Sequence, residues 1–332
     1  MPGVRGLSPA GLEWVERRMG ELPKAKYHHT VFTVPDNQLY QIMMMNKKVL
    51  YQMIIKAAAD TLKTFAGDPK HLGATIGMIG VLHTWGETLN YHVHVHFLVT
   101  AGGLSPDGKR WVTTKYGDKF LFPVRAMSLV FRGKFIAMLK EAYKKNELVL
   151  TGKLKRIERP EEFASYIKGL ARHMFRVHSK PATEEPKNVV KYLGGYMRRV
   201  AISNSRIEGM EAGKVVIRYR DNRDKGKLKR SRMEPQEFIR RFLRHILPEG
   251  FVRVRYYGIF GGKDRKEKME RARELLGSLE DEPRNEAISR ARCERCEKGT
   301  MQVIEYAREP VTLLWVCVML IGRGRYKYHD TS

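Results

Sequence analysis

Tyr91-His92-Val93-His94-Val95-His96-Phe97-Leu98-Val99-Thr100 is the stretch on which the reading of this 332-residue chain turns. Alternate side chains of a β-strand point to opposite faces, so His92, His94 and His96 form one row. Tyr91, Val93, Val95 and Phe97 then face a core. Neighbouring histidines of the row stand about 7 Å apart along the strand, close enough to lean onto one metal ion. The plainer alternative is three histidines on a solvated face. Just upstream, Ala74–Thr84 has strand composition, and Trp85-Gly86-Glu87-Thr88-Leu89-Asn90 turns it back into the histidine strand as an antiparallel hairpin. The turn returns His83 beside the row as a third candidate ligand, with Glu87 as its rival.

Working outward, Tyr27–Val34 reads as a strand stopped by Pro35, and Asn37–Ala66 has helical apolar spacing, as one long helix or two broken ones. Met43-Met44-Met45 suits core filling. Ser8–Glu21 reads as a short capped helix. Ala101–Gly108 reads as a loop by its glycines and proline, and Phe122–Lys144 and Glu161–Met174 as helices. Pro181 and Pro186 bracket a short loop before a helix from about 187 to 199, where Tyr192 and Tyr196 are four residues apart and share a face. Two tyrosines packed in a core would show the same spacing.

Lys plus Arg total 62 against 36 Asp plus Glu, a net charge of +26. So one-signed a surface exceeds what solubility needs and concentrates polyanions, nucleic acid above all. The basic run Lys214–Arg232 reads as a strand followed by a hairpin whose tip lies near Gly226, a phosphate track by its charge. Glu237–Ile246 reads as an amphipathic helix, Phe251–Tyr257 as a strand and Lys263–Leu279 as an exposed helix. DNA contacts are expected from Arg198, Arg199, Arg218, Arg220, Lys227, Lys229, Arg230, Arg232, Arg253 and Arg255, and from the mixed basic and aromatic tail 323–328.

Three cysteines argue against a disulfide scaffold and for a reducing interior. Cys293 and Cys296 have the spacing of half a zinc site, with Cys317 the one cysteine left to help complete it. The N-terminus carries no apolar secretion signal, and the longest apolar run, Val311–Ile321, is too short for a bilayer. A cytoplasmic, nucleoid-associated protein without membrane contact is expected.

His94-Val95-His96-Phe97-Leu98-Val99 resembles the His-hydrophobe-His motif of the HUH endonuclease superfamily. Leu82–Gly86, Gly102–Ser105, Tyr192-Leu193-Gly194-Gly195-Tyr196 with Arg199–Asn204, and Glu237–Phe242 with His245–Pro248 narrow the likeness. Together they resemble the two-tyrosine rolling-circle transposases of bacterial insertion sequences, the insertion-sequence ninety-one family. That resemblance covers about residues 27 to 262. It implies His94 and His96 as metal ligands, and magnesium or manganese as the ion, where imidazole ligands alone suggest zinc or a similar metal. It implies Tyr192 and Tyr196 as nucleophiles forming a 5′-phosphotyrosine on single-stranded DNA with a hairpin or specific end sequence. The family's cysteine-rich zinc domain has no counterpart before Tyr27.

The fold expected is α+β, a central antiparallel sheet carrying the motif, flanked by helices, with basic accessory elements. The chain divides into a lead-in over 1–26, a nuclease domain over 27–205, basic elements over 206–262, and a charged helix and tail over 263–332. Two other readings share the residues: a plasmid or phage replication initiator or relaxase with the same chemistry, and a non-catalytic single-stranded-DNA-binding protein.

Overall fold

A computed structural model describes residues 22–117, 119–183, 201–221 and 224–277. A six-stranded antiparallel sheet organises them. Its strands are β1 (Tyr27–Thr33), β2 (Thr75–Trp85), β3 (Tyr91–Leu104), β4 (Trp111–Thr113), β5 (Arg176–Thr183) and a late arrival at Val254–Gly258. The spatial order is β5, β1, β3, β2, then the Val254–Gly258 strand, with β4 pairing the far end of β3. The histidine strand β3 is central. This is the α+β architecture with flanking helices that the sequence implies.

Helices α1 (Asp36–Met45), α2 (Lys47–Gly67), α3 (Val124–Lys144) and α4 (Pro160–Ala171) cover one face. The break between α1 and α2 falls at Asn46, whose side chain donates to the carbonyls of Ile42 and Val149 and accepts from Val149 N at 2.7 Å. A buried amide so fully bonded to backbone competes with the helix and ends it. Tyr91, Val93, Val95, Phe97 and Val99 of β3 point into the apolar layer under these helices. Phe97 is fully buried there, a side chain whose burial alone stabilises by about 2–3 kcal/mol. Of the methionine trio, Met43 is buried while Met45 is 51% exposed, because successive helical positions rotate off the core face.

On the opposite face Ile79, Val81, Leu98 and Tyr27 pack with Leu22, Ile259, Phe260 and Met269. The helix containing Met269, Arg265–Leu276, is therefore anchored by Met269 and Ala272 rather than wholly exposed. A second sheet of three strands, β6 (Ile207–Glu211), β7 (Lys214–Asp221) and β8 (Lys227–Met233), packs with α5 (Pro235–Leu243) against Trp85 and Leu89 of the main hairpin. The basic hairpin falls where its charge pattern put it. In chain order Val254–Gly258 is then β9 and Arg265–Leu276 is α6, and β9 pairs β2 in the main sheet.

Two local readings of the sequence change. Gly102 and Gly103, read as loop, continue β3 to Leu104. Gly103 sits between Ile76 of β2 and Val112 of β4, and a Cβ there would meet the Thr75 carbonyl oxygen at 2.4 Å. Glycine is needed for close backbone approach, not for a turn. Gly103→Ala is expected to cost about 1–3 kcal/mol, read as a fall in the urea midpoint at constant m-value. Pro181, read as a loop boundary, lies within β5, an edge strand where a missing N–H is tolerated. The register with β1 shifts between Tyr27 and His29, opposite that proline.

The segments 8–21 and 187–199, Arg198, the Cys293–Cys296 pair and the Val311–Ile321 run lie outside the described residues. Among the described residues no helix is long and apolar enough to cross a membrane.

Candidate metal centre and nucleic-acid interface

Antiparallel pairing of β2 and β3 puts His83 directly across from His94, and Val81 across from His96. The three imidazoles consequently converge. His83 and His96 lie 4.2 Å apart between ring centroids, His94 and His96 4.8 Å, and His83 and His94 5.2 Å. One potential ligand atom from each lies within 4.8 Å of the others. Nitrogens sharing one zinc-like ion sit at most about 4.2 Å apart, so the trio is a slightly open cage for a divalent cation. The donor chemistry fits such an ion. His83 is 2% exposed, His96 5% and His94 9%, so this face is enclosed rather than solvated.

Burial also sets the protonation. It pushes His94 down to about 3, with His92 and His29 adding in the same direction, and holds His83 and His96 well below the ordinary histidine range. Neutral imidazole is the form that ligates, so no proton need leave at neutral pH.

The second nitrogens are fixed by neighbours. The His92 carbonyl, which can only accept, takes a 2.9 Å hydrogen bond from His94 Nδ1. His94 Nε2 is then the ligating nitrogen. His96 Nδ1 pairs with His29 Nε2 at 2.8 Å, the two rings stacked at 5.0 Å. Such outer partners fix tautomer and ring orientation at metal sites. Trp85 stacks on His83 at 5.0 Å, and the Arg253 guanidinium lies 5.5 Å above the Trp85 ring. His92, the remaining histidine of the row, turns to the Asp36 carboxylate in a short contact, and Asp36 also accepts from Val93 N at 3.1 Å. It stands beside the trio rather than in it.

Glu87, the rival ligand, is engaged elsewhere. Its carboxylate pairs with Arg206 at 3.3 Å and accepts from Arg220 N at 3.4 Å, while its carbonyl takes a second bond from Arg206. It ties the three-stranded sheet to the main hairpin.

The basic hairpin carries more internal compensation than its own run of sequence suggests. Arg218 and Arg230 face each other across β7 and β8, and Glu208 bridges them at 3.3 and 2.6 Å. Glu211 pairs with Arg230 and with Arg232 at 2.9 Å. Lys229 pairs with Asp221 at 2.8 Å, and Lys227 with Asp224 at 3.2 Å. Arg220 projects from the same face as Arg218, and Arg255 lies over Phe251 at 5.6 Å. Tyr192, Tyr196, Arg198 and Arg199 lie outside the described residues.

His29, Asp36 and Arg206 escaped the sequence reading. His29 alternates on β1 onto the same face as the trio, a signal visible only once β1 is known to pair with β3.

A family model described as "Putative transposase" matches residues 77–268, a span that holds His83, His94, His96, Tyr192 and Tyr196. The chain is 39% identical over 312 residues to "Putative transposase y4qJ" of Sinorhizobium fredii (strain NBRC 101917 / NGR234), across 90% of this chain and 78% of that protein. It is 26% identical over 255 residues to "Transposase for insertion sequence element IS801" of Pseudomonas savastanoi pv. phaseolicola, across 76% of this chain and 58% of that protein. No solved structure matches.

Proposed function

Because this chain belongs to the "Putative transposase" family of two-tyrosine, rolling-circle type, we propose that it cleaves and rejoins single-stranded DNA at element ends through a 5′-phosphotyrosine. The observation that carries the reading is the convergence of His83, His94 and His96. A divalent cation held there, magnesium or manganese by family habit, would supply Lewis-acid charge to a phosphate oxygen.

The chain's own groups do the rest. His29 and the His92 carbonyl hold His96 and His94 in ligating orientation. Tyr192 or Tyr196 attacks phosphorus through its phenolic oxygen. The new bond joins tyrosine oxygen to phosphorus, and the bond to the 3′ oxygen of the neighbouring nucleotide breaks. The phenol gives up a proton, and the departing 3′ oxygen gains one. A phenol of ordinary pKa about 10 is a weak nucleophile at neutral pH, so its activation beside the cation is part of the reading. Bond energy is kept in the adduct, so rejoining by a 3′ hydroxyl needs no nucleotide. Two tyrosines one helical turn apart allow a second transfer before the first product leaves. Arg218, Arg220, Lys227, Lys229, Arg230, Arg232, Arg253 and Arg255 serve the DNA backbone in this reading, with Arg198 and Arg199 beside the tyrosines.

Labelled single-stranded DNA carrying the element's end, incubated with protein and manganese and run on a denaturing gel, tests this. Wild type is expected to give a protein-linked band. Tyr192→Phe and Tyr196→Phe should each alter it, and the double variant should abolish it. An adduct that survives in the double variant removes these tyrosines as nucleophiles. No adduct from wild type on a verified end favours a DNA-binding protein without this chemistry.

A further inference from the structure

A cavity of about 360 Å³ lies beside the turn of the main hairpin, walled by Tyr40 of α1, Asn90 of the turn, and Glu237, Arg240, Arg241 and Arg244 on and just after α5. That volume accommodates a ligand the size of one nucleotide. Three guanidiniums against one carboxylate leave it with two positive charges. Glu237 is held ionised, pushed down to about 2 by Arg240 and then Arg241, which both donate to it. Arg241 is further fixed by the Thr88 carbonyl at 3.0 Å. Charge is concentrated on one wall.

The other wall is aromatic. The Tyr40 ring meets Tyr91 edge-on at 5.3 Å, which sets its plane, and the Arg244 guanidinium lies 5.3 Å over its centroid. The guanidinium plane, backed by that ring, offers its outer face as a stacking place for a planar heterocycle. Asn90, exposed at the rim, supplies an amide that can meet a base edge. The cavity is also tied to the histidine trio. Asp36, one helical turn before Tyr40, holds His92, whose ring lies 4.9 Å from that of His94.

We propose that this cavity is a nucleotide subsite that takes one unstacked base of the single strand close to the cleavage point. The base stacks on the outer face of the Arg244 guanidinium, which the Tyr40 ring backs, and its phosphate sits on Arg240 and Arg241. The inference rests on the single-strand cleavage reading above and adds to it where a neighbouring nucleotide is held. A base inside a duplex is not available to such a pocket, so the subsite also supplies a preference for single strands.

The test is binding without metal, which separates it from chemistry. Fluorescence anisotropy of a labelled single-stranded end would be measured in EDTA with wild type, Tyr40→Ala, Tyr40→Trp and Arg244→Ala. Tyr40→Ala is expected to weaken binding about 5–100-fold and Tyr40→Trp to restore it, the range expected for one stacked base. Arg244→Ala should weaken it by at least the same factor, and it keeps the test valid if thermal melting shows Tyr40→Ala to be misfolded. A 2-aminopurine moved along the strand should be quenched at one position near the cleavage point, and an abasic site there should bind as weakly as the Tyr40→Ala variant. Unchanged affinity in both alanine variants overturns the subsite, as does quenching at no position. Polyglutamate competing as well as the oligonucleotide reduces the cavity to an anion patch and overturns it too. A wild-type adduct with Tyr40-independent binding sinks the subsite alone. Tyr40-dependent binding with no adduct from wild type sinks the cleavage reading alone.

Discussion

His94→Ala is expected to lower manganese-dependent cleavage at least about a thousandfold, since one lost ligand removes several kcal/mol of charge stabilisation. Calorimetric titration with manganese should show the same loss of affinity for His96→Ala and His83→Ala. The identity of the third ligand is tested by one comparison. His83 lies across from His94 with its ring in the trio, whereas the Glu87 carboxylate is paired to Arg206. Glu87→Gln should therefore leave manganese affinity unchanged. A Glu87→Gln protein that loses the ion while His83→Ala keeps it would transfer the role to the acid. His29→Ala, which removes the partner of His96 Nδ1, should cost about 10–100-fold in affinity, as loss of an outer partner commonly does. His94→Gln, closer in volume, separates loss of the ligand from loss of packing.

Acid should weaken the fold well before its carboxylates titrate. His245 is fully buried, stacked at 6.2 Å on Tyr91, and burial pushes it down to about 4. Its Nε2 donates to the Leu89 carbonyl at 3.1 Å, so Nδ1 accepts from the Thr84 hydroxyl at 3.3 Å. That arrangement joins α5 to the hairpin turn in the neutral state. The unfolded chain, with an ordinary value near 6.5, takes up this proton first as pH falls. Stability from His245 is thus fully present above about pH 6.5 and is lost progressively down to about pH 4. The total is about 3 kcal/mol. The metal-free histidine trio adds in the same direction. Urea unfolding at pH 7.5 and 4.5 checks it: His245→Gln should be less stable at pH 7.5, yet lose about 2–3 kcal/mol less between the two values. Equal losses in the two proteins would show that His245 is not the source.

The hairpin and its histidine row were legible because everything that makes them is local: alternation within β3, a short turn, and a matching strand before it. Helices α1 to α5 were legible for the same reason. What could not be read came from partners far along the chain. His29 joins the trio only through the β1–β3 pairing, and Glu208 reaches Arg218 and Arg230 from a strand just outside the basic run. Gly102–Gly103 and Pro181 were misplaced because residues that usually break strands here serve a close approach and an edge. The resemblance, not the periodicity, singled out Tyr192 and Tyr196, since buried tyrosines repeat at the same interval.

All three candidate ligands come from β2 and β3, between residues 83 and 96, whereas the strand that closes the sheet edge beside them, β9, pairs Gly77 with Gly258. Hairpins close in about 1–10 μs, while ribosomes add about 5–20 residues per second. On a nascent chain the three imidazoles are therefore expected to be brought together on the order of ten seconds before β9 emerges. A divalent ion captured at that stage would precede completion of the sheet and act as a template for folding.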